Sequence, residues 1–225
     1  MQIAIDGPAG AGKSTIAKKL ASEYGYIYVD TGAMYRAMAL YLIRCGISAD
    51  DKEAIEKACE YADISIRFID GDQKVILNGE DVNGLIRTQE VSNMASASSV
   101  NGKVREKLVA LQQKLAKDSD VVMDGRDIGT KVLPDAEVKI FLTASTKVRA
   151  KRRYEELKEK GEDCDLAAIE REIKERDHRD MTRTLSPLKQ ADDAILLDTS
   201  DMDIEQAVKE AGRIIGEKRN ECHSC

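Results

Sequence analysis

The sequence predicts an α/β protein in which helices cover a parallel sheet, and three observations carry that expectation. Strand-like and helical runs alternate from the start: Gln2 to Asp6, Lys13 to about Glu23, Tyr26 to Val29, then Ala33 to Cys45. Such alternation makes each helix a crossover between parallel strands. A Gly-rich turn joins the first strand to the first helix. After an interruption the apolar strand pattern resumes at Val121 to Asp124, Val138 to Leu142 and Ala194 to Leu197.

In the first helix Ile16, Ala17, Leu20 and Ala21 share one face. Asp30-Thr31-Gly32 ends the second strand, and Gly46 stops the second helix. From about Asp63 to Ser99 the rhythm breaks. Ile64, Ile66 and Phe68 alternate with Ser65 and Arg67, Asp70-Gly71-Asp72 supplies a turn, and Lys74 to Asn78 supplies another strand. These features predict an antiparallel hairpin in a small inserted β-rich lobe. Val104, Leu108, Leu111 and Leu115 then mark an amphipathic helix, and Ile204, Ala207, Val208, Ala211, Ile214 and Ile215 a closing one. The tail Cys222-His223-Ser224-Cys225 reads as a frayed end.

The chain has 225 residues, 42% hydrophobic and 34% charged, enough for one core with modest appendages. Aromatic residues make up 4% and Trp is absent, so the core must rest on Ile, Leu, Val, Ala and Met. No apolar run approaches the roughly 20 residues of a membrane span. No targeting signal is evident, so a cytoplasmic protein with no membrane partner is expected. A net charge of −6 argues against a broad nucleic-acid surface. The five cysteines lack metal-finger spacing and read as reduced thiols.

The segment Gly7-Pro8-Ala9-Gly10-Ala11-Gly12-Lys13-Ser14 fits G-x-x-x-x-G-K-[ST] in full, with Thr15 following it. Lying between a strand and a helix, it predicts a triphosphate cradle. Glycines let backbone N–H groups turn inward, and the helix places its positive end at the anion. Lys13 is expected to bridge the β- and γ-phosphates of ATP, and the Ser14 hydroxyl to ligate Mg2+. Val121-Val122-Met123-Asp124 is an apolar strand ending in a carboxylate, as expected for the Asp that steers Mg2+ through water. A GTPase switch would carry N-K-x-D, which is absent. A small chain with an inserted lobe and an Arg-rich segment fits a transferase, which must exclude water and neutralise the γ-phosphate.

Lys147 to Arg183 is charged with both signs mixed, ordinarily a solvated helical face. Within it, Arg176, Arg179, Asp180 and Arg183 follow i, i+3, i+4, i+7 and would share one face of a helix. Opposite a phosphate pocket, three guanidiniums form a clamp. His178 falls on the other side and is not assigned a catalytic role.

Five motifs together resemble the bacterial cytidylate kinase family over nearly the whole chain. They are I-D-G-P-A-G-A-G-K-S-T in the loop, D-T-G-A-M-Y-R at Asp30 to Arg36, I-R-T-Q-E-V at Ile86 to Val91, D-G-R-D-I-G-T at Asp124 to Thr130, and I-K-E-R-D-x-R-D at Ile173 to Asp180. The resemblance implies a P-loop kinase fold: a five-stranded parallel sheet flanked by helices, a monophosphate-binding lobe with a β-rich insertion, and a helical lid. It places the core at about 1–30, 100–145 and 190–220, the lobe at about 31–99, the lid at about 146–185, and a disordered tail at 219–225 of a single domain. It implies phosphorylation of CMP and dCMP by ATP with Mg2+, by a monomer. Thr31, Arg36 and Arg126 would hold the acceptor phosphate and Tyr35 would line its pocket. Ser96, Arg105 and Asp127 would read the base, Arg176 and Asp180 the ribose, and Arg183 would reach the phosphates between the substrates. Lys13, Arg126 and Arg183 would carry catalysis. Thr31 stands where the family often has Ser, and keeps the hydroxyl. Two alternatives remain at this point: a kinase for another small acceptor such as UMP, dTMP or shikimate, or a non-catalytic nucleotide-binding module.

Overall fold

In chain order the elements are β1 (Gln2–Asp6), α1 (Lys13–Tyr24), β2 (Ile27–Asp30), α2 (Thr31–Arg44), α3 (Lys52–Cys59), β3 (Ile64–Ile69), β4 (Asp72–Leu77), β5 (Glu80–Asp81), α4 (Gln89–Ser98), α5 (Gly102–Ala116), β6 (Val121–Gly125), a five-residue π-turn (Ile128–Val132), β7 (Val138–Thr143), α6 (Thr146–Glu159), α7 (Leu166–Thr182), β8 (Ile195–Asp198) and α8 (Ile204–Cys222). The structure is a computed structural model and describes residues 1–69 and 72–222. Five strands form one sheet in the order β2-β6-β1-β7-β8, and β3-β4-β5 form a second, smaller one. The chain divides into two compact units, 1–26 with 120–225, and 27–119.

In the first unit β1 runs parallel to β6 and β7, and β8 runs parallel to β7. Ile3, Ile5, Val122, Met123, Val138, Ile140 and Leu142 are buried, the continuous apolar pattern of strands covered on both faces. Helix α1 buries Ile16, Ala17, Leu20 and Ala21, the face read from the sequence, and α8 buries Ala207, Ala211, Ile214 and Ile215. Register pairs Ile5 with Asp124 and Asp6 with Gly125, so two neighbouring strands end level. The loops that follow them open at the carboxyl edge of the sheet, where ligand sites of such folds lie. Helices α6 and α7 pair through Ala150, Ile169 and Ile173, with Tyr154, Leu157 and Cys164 packed against them. The mixed-charge stretch therefore hides an apolar seam.

In the second unit the hairpin forms as expected, with Ile64 opposite Leu77 and Ile66 opposite Val75. Its Asp70-Gly71 turn lies outside the described residues. Asn78 and Gly79, both at positive φ (48° and 87°), turn the chain into β5, a third strand that the sequence reading did not anticipate.

Several expectations are corrected. Thr31-Gly32 does not end the second strand; it opens α2, because the Asp30 side chain accepts from Ala33 N at 2.9 Å and caps the helix two residues early. The insertion is not β-rich through Ser99. Thr88 caps α4 by accepting from Val91 N at 3.2 Å, and Val91, Met94, Ala95 and Ser98 make a helical stripe whose small residues look bland in sequence. In α5 the buried face is Val104, Arg105, Leu108, Gln112 and Ala116, while Leu111 and Leu115 are only half-buried. Helix α5 also groups with 27–119 rather than with the sheet, since it packs on α2 and α3. Helix α8 continues to Cys222, past Arg219, because Glu217, Lys218 and Arg219 are good helix formers. His223 to Cys225 lie outside the described residues. Among the described residues no helix is long and apolar enough to cross a membrane, and Cys45, Cys59 and Cys164 are free thiols.

Candidate active site

The loop after β1 is shaped by its backbone. Gly7 has φ 150°, and a Cβ there would lie 1.9 Å from the Leu142 carbonyl oxygen, so the turn runs against β7 with no room for a side chain. Gly12 caps α1 in the left-handed region (φ 90°), which aims the first turn of the helix into the loop. Lys13 opens that helix, is buried, and donates to the Pro8 carbonyl at 2.8 Å. Ser14 Oγ donates to Asp124 Oδ2 at 2.9 Å. The hydroxyl and the strand-end carboxylate that were matched by motif alone thus stand together, two oxygen donors of the kind a hard divalent cation takes.

Burial pushes the Lys13 ammonium down to about 7, and the nearby Arg126 charge adds to this; Asp124 and Asp6 pull the other way. An incoming phosphate would relieve both burdens at once. Asp6, the last residue of β1, is buried and accepts from the backbone N–H groups of Ile128 and Gly129, each at 2.8 Å. Burial pushes its carboxyl up to about 6 although those two donors hold it down, and the Asp127 charge raises it further. Asp6 thereby fixes the π-turn that follows Arg126 and Asp127. Sequence reasoning passed over it, though the signal was the one used for Asp124: a carboxylate ending an apolar strand.

The segment after β6 meets α7. Arg126 Nε donates to Asp180 Oδ2 at 2.9 Å, and Arg183 lies 3.9 Å from Asp180 and 4.0 Å from Asp127. Burial pushes the Asp180 carboxyl up, but Arg126, Arg176 and Arg183 outweigh it and hold the group below its ordinary value. Asp127 and Asp180 are both buried. The expected Arg-rich face is corrected in two respects. Arg179 points to solvent, and the inward face of α7 carries Ile169, Ile173, Asp177 and Asp180 with Arg176 half-buried beside them. Arg183 is not helical either. It is the extended C-cap of α7 (φ −60°, ψ 140°), held by Nε donating to the Ser186 carbonyl at 2.7 Å. Its guanidinium still reaches the carboxylates because the chain turns there.

The remaining sequence candidates lie in the second unit. Thr31 is buried in the first turn of α2. Arg36, one turn on, donates through Nη2 to Asp30 Oδ2 at 3.0 Å, and Arg87 Nη2 approaches the same oxygen at 3.5 Å. Asp30 is clipped in turn by Gln73 of β4. Its N–H donates to Gln73 Oε1 at 2.8 Å, and Gln73 Nε2 donates to the Asp30 carbonyl at 3.2 Å. The inserted sheet thus holds the residue that orients Arg36, a link no local pattern signals. Arg105 is only 5% exposed, so it is not a surface helix charge. It stacks 5.5 Å from the Tyr35 ring centroid and donates to the Ser99 carbonyl at 3.2 Å. Ser96 stands half-buried on α4, its carbonyl accepting from Ser99 Oγ at 2.9 Å.

The sequence matches the cytidylate kinase family over residues 3–217. A protein of Caldicellulosiruptor bescii named cytidylate kinase is 54% identical over 209 residues, covering 93% of this chain and 92% of that one. One of Lactobacillus johnsonii with the same name is 51% identical over 219 residues, covering 97% and 95%. Among solved structures, an uncharacterized protein from Eubacterium ventriosum aligns with a TM-score of 0.54 at 15% identity, covering 96% and 98%, a likeness of fold alone. With a family match over residues 3–217 and relatives about half identical over nearly the whole of both chains, this chain belongs to the cytidylate kinase family.

Proposed function

We propose how the chain carries out the phosphorylation of CMP and dCMP by ATP that its family membership implies. The loop Gly7 to Thr15 holds the triphosphate, Lys13 bridges its β- and γ-phosphates, and Ser14 would hold Mg2+ directly and Asp124 through water. Bound there, Mg2+ would supply charge neutralisation on the phosphates. Thr31, Arg36 and Arg126 hold the acceptor phosphate beside Tyr35. Ser96, Arg105 and Asp127 read the base, and Arg176 and Asp180 hold the ribose hydroxyls. Arg183 neutralises charge between donor and acceptor.

No protein nucleophile enters. An oxygen of the CMP phosphate forms the new bond to the γ-phosphorus, the bond to the β-γ bridging oxygen breaks, and ADP leaves. The protein supplies position and charge. The observation that most supports this is the placement of Lys13, buried at the start of α1 behind the glycine loop with Nζ donating to the Pro8 carbonyl, where burial and the Arg126 charge push its ammonium down and a bound anion would offset both.

Base reading is where the acceptor is chosen. Cytosine offers acceptors at N3 and O2 and a donor at N4, which match an Arg105 donor and an Asp127 acceptor. Uracil reverses both contacts at N3 and O4, leaving buried polar groups unpaired. Asp127→Ala is therefore expected to cut the CMP-over-UMP ratio of kcat/KM by about tenfold or more. An unchanged ratio would remove Asp127 from base recognition.

A further inference from the structure

Arg149 has no place in the mechanism above, yet at 4% exposure it is the most buried charged residue among those described. It sits in the first turn of α6, inside the run whose mixed charge reads as solvated surface. Its guanidinium makes four hydrogen bonds. Nε donates to the Ala144 carbonyl at 2.8 Å and Nη1 to the Ala9 carbonyl at 2.9 Å. Nη2 donates to Thr146 Oγ1 at 3.2 Å and to Asp177 Oδ2 at 2.6 Å. One of these partners is in the phosphate loop, and another is on α7 beside Arg176 and one turn before Asp180. Gly10 packs on the same residue, since a Cβ there would stand 3.4 Å from Arg149 Cβ.

We propose that Arg149 is a positioning residue for the triphosphate, acting through the Ala9–Gly10 peptide. No peptide bond in the described chain is cis. In a trans peptide the carbonyl and the next N–H point in opposite directions. Holding the Ala9 oxygen outward on a fixed cation therefore turns the Gly10 N–H the other way, toward the anion the loop receives. The guanidinium charge also polarises that peptide and strengthens the N–H as a donor. The bond from Nη2 to Asp177 sets where the guanidinium stands and ties the loop to the helix that carries Arg176 and Asp180. Arg suits this position because its rigid fork serves four acceptors at once, the loop carbonyl and the carboxylate among them, whereas an ammonium has three donors on a single atom.

The inference rests on the reading of Gly7 to Thr15 as the ATP loop, so wild type and Lys13→Ala are measured first. Loss of ATP dependence in the wild type, or an unaffected Lys13→Ala, would indict that reading rather than Arg149. With it intact, Arg149→Met is expected to raise KM for ATP about tenfold, the worth of one charged hydrogen bond, with KM for CMP within twofold of wild type. Asp177→Asn keeps the bond to Ala9 and is expected to leave KM for ATP within about threefold. A folded Arg149→Met with an unchanged KM for ATP overturns the proposal. So do parallel rises in both KM values, or an equal rise in Asp177→Asn, any of which would make Arg149 a mere strut between helices. Should Arg149→Met fail to fold, the ratio of the two KM values is read in Arg149→Lys. A rise above about threefold supports the proposal and an unchanged ratio overturns it.

Discussion

Replacing Lys13 by Ala is expected to lower kcat by roughly a thousandfold or more, about 4 kcal/mol of transition-state stabilisation, while the protein stays folded. The side chain is buried, donates a hydrogen bond to the Pro8 carbonyl, and is held down to about 7 by burial and by Arg126. Its charge is thus a cost to the unliganded fold and a gain once phosphates arrive. That gives the substitution a second signature in stability. Between pH 7 and the ordinary 10.5 the unfolded chain binds the Lys13 proton and the folded one does not. Stability of the wild type therefore rises with pH through that window on account of this group, and the rise is missing in Lys13→Ala. Chemical denaturation at pH 7 and pH 9, beside a steady-state assay, checks both. Near-normal turnover would remove the loop from catalysis.

Arg126→Ala is expected to lose both activity and stability. Arg126 donates to Asp180 at 2.9 Å, and its removal leaves a buried carboxylate with only the more distant Arg183 at 3.9 Å and the neighbouring Arg176 charge. Breaking such a pair from one side costs about 3 kcal/mol. Turnover should fall a further hundredfold to thousandfold, because the fork we propose for the acceptor phosphate is gone. Arg126→Lys should recover much of the stability, since the charge returns, but little of the turnover, since the fork does not. Equal recovery of both would mean that Arg126 supports Asp180 and nothing else.

Much of this site was legible because its signals are local. A glycine loop between strand and helix, a carboxylate at the end of an apolar strand and arginines at helical spacing are all patterns within ten residues. The same locality explains what was missed. Arg149 and Asp177 lie 28 residues apart on two helices, and only packing of those helices makes them a pair. Gln73 and Asp30 meet across 43 residues through the inserted sheet. The inward face of α7 runs through Ile173, Asp177 and Asp180 and leaves Arg179 outside, and Arg183 reaches the carboxylates from a C-cap rather than from a helical turn, which residue spacing does not signal. Helix α4 escaped notice because Ala and Ser pack well on a neighbour without marking an apolar stripe. Residues whose role is to hold other residues left the weakest trace.

The most direct test of the account is ADP release from ATP and Mg2+ by the purified chain, measured with CMP, dCMP, UMP, dTMP, AMP and shikimate offered separately. CMP and dCMP are each expected to stimulate release far above the rate without acceptor, and the others to do so poorly. Stimulation by another acceptor in preference to CMP would contradict the base-reading roles of Arg105 and Asp127. Release indifferent to every acceptor would contradict phosphoryl transfer itself.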